Sequence, residues 1–453
     1  MSTQLRSLWE TLRESYWFIP AGIVLAMFGL AYVTQMADEE YPVDIAGMLP
    51  GVFRGGPDGA RAMLSTIAAS MMTAASVTFS ITIAALASAS TQFGSRLLRI
   101  FMRDTGSQVV LGTFVGTFIY CLLILRQIPS STSELQVPQF STTVALLLAL
   151  LSIGVLIYFV HHMASMLQVW SVAGEVGESL LEEIRELYPE QVGRELEPSQ
   201  DAIPIDADGS SVLPDADSAE ILARRLGYIQ AVDHGRLMRL AVKHDIVVRL
   251  DFTPGRFVVP DTRLAMVWPA ARATPEVENE LQKIFILGSR RTTYQDIELY
   301  FDELIEMTLR AMSRAINDPH SAMICIDWLT GALTTIARRQ TPSRYRFDNE
   351  GRLRVIADAP SIAYLIDLSF DRIRNVSRDH PEMLAKLIDS ARIIAQNLRH
   401  PEDRAALRRQ LMAIDAVVRN AWFAEHERQR LRAAFLDVLD DLNAAELDQP
   451  ASK

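Results

Sequence analysis

The stretch Ala62–Ser95 carries no formal charge, and Ser and Thr recur in it among Ala, Ile and Met. As one helix rising 1.5 Å per residue it would measure about 50 Å, longer than the roughly 30 Å hydrocarbon core of a bilayer. An advance of about 100° per residue gathers Thr66, Ser70, Thr73, Ser80, Ser88, Thr91 and Ser95 into one sector roughly 80° wide, with Val77 and Ala84 completing the stripe. Hydrocarbon solvates hydroxyls poorly, so the stripe is expected to face other helices or water. Two readings stay open: packing between helices, and the lining of a solute pathway.

Three further segments can span a membrane. Tyr16–Ala37 opens on an interfacial aromatic trio, with Pro20 tolerable in its first turn; Thr105–Leu125 is bounded by Asp104 and Arg126; Val144–Val160 is almost wholly apolar and continues past His161 and His162. No small-residue cleavage motif closes the first apolar run, so it is expected to be retained as a helix. Four spans put both termini on one side. Arg6, Arg13, Arg96, Arg99 and Arg103 fall on the N-terminal side, against Arg54, Arg61 and Arg126 opposite. That bias predicts an N-in, C-in protein of a bacterial inner membrane. Arg96, Arg99 and Arg103 would then stand at the inner mouth of the second span. His161 and His162 would sit in the interface.

Beyond Gly174 the sequence contains no further span, and what remains is long enough to bury its own core. The net charge of −11 argues against nucleic acid as a partner. Of the two cysteines, Cys121 lies in a span and Cys325 outside, so no disulfide is expected. Much of the excess acid lies between Arg194 and Arg224, a Pro- and Ser-rich stretch that reads as a linker. Within it Asp206-Ala-Asp208-Gly209 resembles the start of a calcium loop, but the glycine comes too early for that ligand order.

The expected organisation is a four-helix transmembrane domain to residue 174, an acidic linker over 175–220, a small mixed β-module over 221–270, and a helical domain over 271–453. The fold class is therefore an α-helical polytopic membrane protein with a mostly α, α+β cytoplasmic domain. Strands are predicted at Gly227–Gln230, Ile246–Phe252, Arg256–Val259 and Leu264–Trp268, with a helix at Asp233–Lys243. A hairpin pairs Arg344–Phe347 with Arg352–Ile356. Helices are predicted at Val277–Leu287, Tyr294–Ile316, Pro319–Arg338, Ser361–Ser377, Pro381–Arg399, Pro401–Asn420 and Glu425–Leu447.

Two polar clusters invite a function. In Arg290-Arg291-Thr292-Thr293-Tyr294-Gln295-Asp296 two guanidinium groups precede a helix start, which suits a phosphate or carboxylate; a capping box from Thr292 to Gln295 or Thr293 to Asp296 explains the same residues structurally. In Asn317-Asp318-Pro319-His320 the acid and the proline match the N-cap and N1 positions, marking a helix corner that His320 and Asp327 could extend into a site. The pattern Gly255-x-Phe-Val-Val followed by Leu264 is similar to hairpins of small barrel-sandwich modules, although Pro260-Asp261 offers no lysine for a carried cofactor. No nucleophile elbow, Walker loop, dinucleotide fingerprint or metal-ligand spacing occurs, so no catalytic motif is recognised and no cofactor or metal is expected, and an enzyme acting on lipid stays open as one alternative.

Phe79-Ser-Ile-Thr, Ser90-Thr-Gln-Phe-Gly-Ser-Arg-Leu-Leu and Gln108-Val-Val-Leu-Gly-Thr-Phe resemble a family of bacterial membrane proteins, the domain of unknown function numbered twenty-two fifty-four. Gly227-Tyr-Ile-Gln, Gly255-Arg-Phe-Val, Arg291-Thr-x-x-Gln-Asp and Ala315-Ile-Asn-Asp-Pro are similar to its later motifs. The resemblance implies four N-terminal spans and a cytoplasmic domain, and no assigned activity. The expectation is a homo-oligomer in the lipid bilayer whose second span lines a channel-like pathway, with a small anion or ion as ligand. The alternative is a membrane-anchored scaffold or lipid-associated protein without a pore.

Overall fold

The computed structural model describes residues 16–40, 56–93, 104–128, 138–166, 169–188, 217–339 and 342–447. The chain divides into two compact units, Met1–Val172 and Ala173–Lys453.

Among the described residues the first unit holds four helices: α1 (Phe18–Glu40), α2 (Pro57–Phe93), α3 (Thr105–Leu125) and α4 (Gln139–Met166). All four are long and apolar enough to cross a membrane. Helix α3 is the central one: 61% of its apolar window is buried, against at most 28% in the other three. Glycine explains its contact with α1. A Cβ at Gly112 would stand 2.7 Å from Ile23 Cδ1 and 3.1 Å from the Pro20 Cα, and one at Gly116 would stand 2.8 Å from Met27 Cγ. The Gly112-x-x-x-Gly116 pair thus seats α1 within the same chain.

Polar groups close the unit at both ends. Asp104 caps α3, accepting from the Ser107 amide at 2.8 Å, and it meets His162 Nε2 of α4 at 2.9 Å. The His162 ring stacks on Tyr158, while its neighbour His161 is exposed. At the other end Asp38 accepts from the Phe140 and Ser141 amides at 3.0 and 2.9 Å, tying the end of α1 to the start of α4.

In the second unit, α5 (Val169–Leu187) occupies residues expected to open the acidic linker. Its Ala173, Val176, Leu180 and Ile184 are buried at helical spacing, which is why it folds as an amphipathic helix. Residues 189–216 of that acidic stretch, with Asp206 and Asp208, lie outside the described residues, and β1 takes up its end. Eight strands follow, interspersed with helices: β1 (Ala219–Leu222), β2 (Gly227–Val232), α6 (His234–His244), β3 (Val247–Leu250), β4 (Phe257–Val258), β5 (Arg263–Trp268), α7 (Pro275–Gln282), β6 (Phe285–Gly288), α8 (Ile297–Ala311), α9 (Pro319–Arg338), β7 (Tyr345–Phe347) and β8 (Leu353–Ile356). They form a five-stranded sheet, β1-β5-β3-β8-β7, and a three-stranded sheet, β4-β2-β6. Only β3 and β8 run parallel.

The strands over 221–270 do not close on themselves. β2 takes β6 as a partner and β3 takes β8, both from later in the chain. Nor do β4 and β5 form a hairpin: β4 pairs with β2, and β5 with β1 and β3. The crossing is held by Gly255, at φ +93°, whose amide donates to the Ile229 carbonyl at 2.7 Å. The helix expected over Val277–Leu287 stops at Gln282, and its apolar tail becomes β6. A run as short as Ile284–Leu287 has no periodicity to distinguish helix from strand. Ile229, Leu237, Val248, Val258, Leu264 and Leu281 join both sheets and their helices in one core.

Helices α10 (Ile362–Val376), α11 (Pro381–Ala395), α12 (Pro401–Asn420) and α13 (Glu425–Leu447) complete the unit. Pro319, Pro381 and Pro401 each stand at a first helical turn, where the missing amide costs nothing.

Gly112→Val should loosen the α1–α3 contact by about 1–3 kcal/mol. Unfolding of detergent-purified protein by increasing denaturing detergent measures it. Gly154→Val, at a site with nothing within 4 Å, should leave the midpoint unchanged.

Candidate functional site

The hydroxyl stripe of α2 lies on the outside of the first unit. Thr66, Ser70, Thr73, Ser80 and Ser88 are exposed, while Leu64, Ile67, Met71, Ala75 and Thr78 on the other face are buried. Thr66, Thr73 and Ser80 donate to carbonyls one turn back, those of Ala62, Ala69 and Ser76, at 2.7, 2.9 and 2.9 Å. Each donor is thereby satisfied within its own helix, and the oxygen lone pairs remain for an outside partner. Thr91 lies in α2 with its side chain outside the described residues; Ser95, Arg96, Arg99 and Arg103 lie outside them altogether.

In the second unit the cluster Arg290–Asp296 is stitched to β2. Gln230 Nε2 donates to the Arg290 carbonyl at 2.9 Å, and Thr292 Oγ1 donates to the Gln230 carbonyl at 3.3 Å. Gln295, at φ +58°, extends the strand with its side chain: Oε1 accepts from the Val232 amide at 3.0 Å and Nε2 donates to its carbonyl at 3.3 Å. The left-handed residue delays the helix predicted from Tyr294 to Ile297, and the cap is Asp296, which accepts from the Leu299 amide at 3.2 Å. Arg291 is committed to carboxylates. Its Nε and one terminal nitrogen reach Asp296 at 2.9 Å each, and the other reaches Asp302 at 3.1 Å. Gly255 is required beside this pair, since a Cβ there would stand 2.2 Å from Asp296 Oδ2. Burial pushes the Asp296 carboxyl above its ordinary range, and Arg291 opposes that shift.

At the corner, Asn317 takes φ +48° and Asp318 caps α9, accepting from the Ser321 amide at 3.1 Å. His320 is exposed, and Asp327 pairs with Lys386.

Val232 of β2, Pro254 and Arg256 on either side of Gly255, and Gln295-Asp296 line one wall of a cavity of about 210 Å³. It opens where the parallel strands β3 and β8 end, at their carboxyl edge, a common place for ligands in sheets with parallel strands. Across from that wall stand His234, the first residue of α6, and Arg346 of β7. Three of the cavity's carboxylates are already paired: Asp251 with Arg249 and Arg263, Asp296 with Arg291, and Asp358 with Arg344. The fourth, Glu298, accepts from the Tyr364 hydroxyl at 3.1 Å, and burial pushes its carboxyl above the ordinary range. Arg346 has no hydrogen bond or ion pair among the described residues, and burial lowers its guanidinium from the ordinary value. Burial, with Arg346 beside it, holds His234 down to about 4, and its Nδ1 is buried without a partner among the described residues. Sequence reading reached Gln295 and Asp296 but neither Arg346 nor His234. Arg346 sits between Tyr345 and Phe347 in an ordinary strand pattern, and only folding reveals that no carboxylate comes to meet it. Among the described residues no group of three metal-ligating side chains occurs.

Four apolar helices joined to an α+β unit define a polytopic membrane protein. The chain belongs to the family described as predicted membrane protein (DUF2254), whose pattern matches residues 13–392. It is similar to uncharacterized proteins of Mycobacterium tuberculosis (strain ATCC 25618 / H37Rv) and Mycobacterium bovis. Each is 29% identical over 443 residues, covering 96% of this chain and 82% of the relative. No solved structure matches.

A half-buried guanidinium without a counter-charge is a cost to the fold, so Arg346→Met should be neutral or stabilising in the absence of ligand. Arg354, which is buried, bonds Asp348 and Asp245 at 2.7 Å each, and Arg354→Met should cost about 1.5–3 kcal/mol, since Asp348 keeps only the amides of Glu350 and Arg352. Thermal unfolding followed by tryptophan fluorescence separates the two. The same experiment across pH tests His234. With the folded value near 4 and the ordinary one at 6.5, the unfolded state binds more protons between them. The contribution is therefore complete above pH 6.5 and is lost as pH falls toward 4. His234→Gln should flatten the stability profile in that window.

Proposed function

We propose that the protein is an oligomer of the bacterial inner membrane in which α2 of each copy turns its hydroxyl stripe toward the others around a solute pathway. The second unit lies on the cytoplasmic side in this reading and senses a ligand that regulates the membrane unit. The outward position of Thr66, Ser70, Thr73, Ser80 and Ser88 carries the proposal. One polar face per four-helix unit cannot enclose water by itself, but copies arranged about an axis can. Hydroxyls and small residues also let membrane helices approach closely, which favours α2 as the contact between copies. At 37 residues α2 would measure about 55 Å and project beyond the hydrocarbon. The excess of arginine on the N-terminal side supports the N-in, C-in orientation.

Thr73→Leu and Ser80→Leu test this reading. A leucine in a narrow wet constriction raises an apolar barrier, so flux through liposomes should fall while the oligomer persists. The oligomer is measured by mass photometry of the same preparations. Lost assembly with the same substitutions would make the stripe a packing face. A monomer without flux in the unmodified protein would overturn the pathway in favour of a membrane-anchored scaffold.

A further inference from the structure

We infer that the cavity between Arg346 and His234 is a binding site for a small oxyanion, a carboxylate or phosphate carried on a short organic body. The site stands whether or not the membrane unit conducts, so it goes beyond the proposed pathway. Three observations converge on it. First, Arg346 of β7 lines the cavity, half-buried, and meets no carboxylate among the described residues, whereas each lining carboxylate except Glu298 has an arginine of its own. A guanidinium presents a planar fork of donors, and removing it from water without an acceptor is costly unless a ligand supplies one. Second, His234 lines the same cavity. As a neutral ring it offers one N–H beside the guanidinium, which completes a donor set for an oxyanion. Third, the space is large enough for a small ligand, and its remaining walls suit the body of one. Val232, Leu250, Phe252 and Ile297 supply apolar contact, and Glu298 supplies an acceptor for a hydroxyl or amino group away from the anionic head. Arg256, exposed at the rim, adds positive potential that draws an anion in.

This site differs from the cluster in which the sequence first suggests an anion. Arg291 is used up on Asp296 and Asp302, and its role is to hold the wall against which the ligand would lie. The free donor set is Arg346 with His234.

The test uses the full-length protein in phosphatidylcholine nanodiscs, titrated with inorganic phosphate and separately with acetate. Sodium chloride holds ionic strength constant, and the unfolding midpoint of the second unit is read. A saturable rise is expected for the unmodified protein with at least one probe. Arg346→Met should weaken that response at least tenfold, Arg346→Lys should weaken it less, and Arg392→Met at a surface pair should change it less than twofold. Nanodiscs containing phosphatidic acid identify the source. A rise that they produce and Arg346→Met abolishes assigns the site to a lipid headgroup, whereas a rise with the soluble anions alone assigns it to a free metabolite. An unchanged response in Arg346→Met, or no saturable response to either anion or to the lipid, overturns the site. Arg346→Met removes a cost rather than a contact, so its folding, read from its own midpoint, keeps every outcome interpretable.

Discussion

Hydrocarbon offers the backbone no hydrogen-bond partner, and the architecture of the first unit follows from that constraint. Its four spanning segments are helices because only a helix satisfies every amide and carbonyl within the segment. What then selects their arrangement is not apolarity, which all four share with the lipid, but fit and a few polar ties. Gly112 and Gly116 permit α3 to touch α1 closely, while Asp38 and Asp104 bind the helix ends at opposite faces of the bundle. Helix α3 ends up enclosed, and α2 is left with one face covered and one bare. The same rule explains why the bare face tolerates its hydroxyls. Thr66, Thr73 and Ser80 return their protons to their own helix, so exposure strands none of these donors.

The second unit rests on a different device. Two sheets and several helices are joined by segments that cross from one layer to the next, and Arg291 with Asp296 pins the most important of these crossings. The pair sits against Gly255, the glycine where the chain crosses from β3 in one sheet to β4 beside β2 in the other, and Asp296 simultaneously starts α8. Gln295 accepts a left-handed backbone, normally unfavourable by about 1–2 kcal/mol. Its amide side chain offsets this by continuing the hydrogen-bond ladder of Val232. Strain, ion pair and glycine therefore act together to make one rigid wall.

Elements with strong local signals were legible in the sequence. Thr105–Leu125 and Pro319–Arg338 have the predicted bounds, the first because charges frame an apolar run, the second because Asp318 and Pro319 announce a helix start. Pro401–Asn420 and Glu425–Leu447 follow for similar reasons. What failed was non-local. Phe285–Gly288 is a strand because β2 needs a partner, and nothing within four apolar residues states that. Phe257–Val258 leaves the expected hairpin because Gly255 redirects it. The motifs Gly227-Tyr-Ile-Gln, Gly255-Arg-Phe-Val and Arg291-Thr-x-x-Gln-Asp are far apart in sequence, and only the fold reveals that they pack against one another. The cluster 290–296 attracted attention for its charge, yet in the structure its arginine is occupied. The cation left over comes from an inconspicuous strand.

That displacement has a physical logic. A guanidinium that anchors a fold is satisfied by the fold, as Arg291 and Arg354 are, and it has no donors left for a ligand. A guanidinium that serves a ligand must be held unsatisfied in its absence, which costs stability and therefore needs rigid support around it. Arg346 meets both conditions. It lies on a strand paired to β8, which is itself paired to β3, and it faces the wall fixed by Arg291 and Asp296. Proteins accept such local violations where binding requires them and compensate elsewhere. Paired arginines such as Arg291 and Arg354 stabilise the frame, and Arg346, unpaired among the described residues, gives that frame something to recognise.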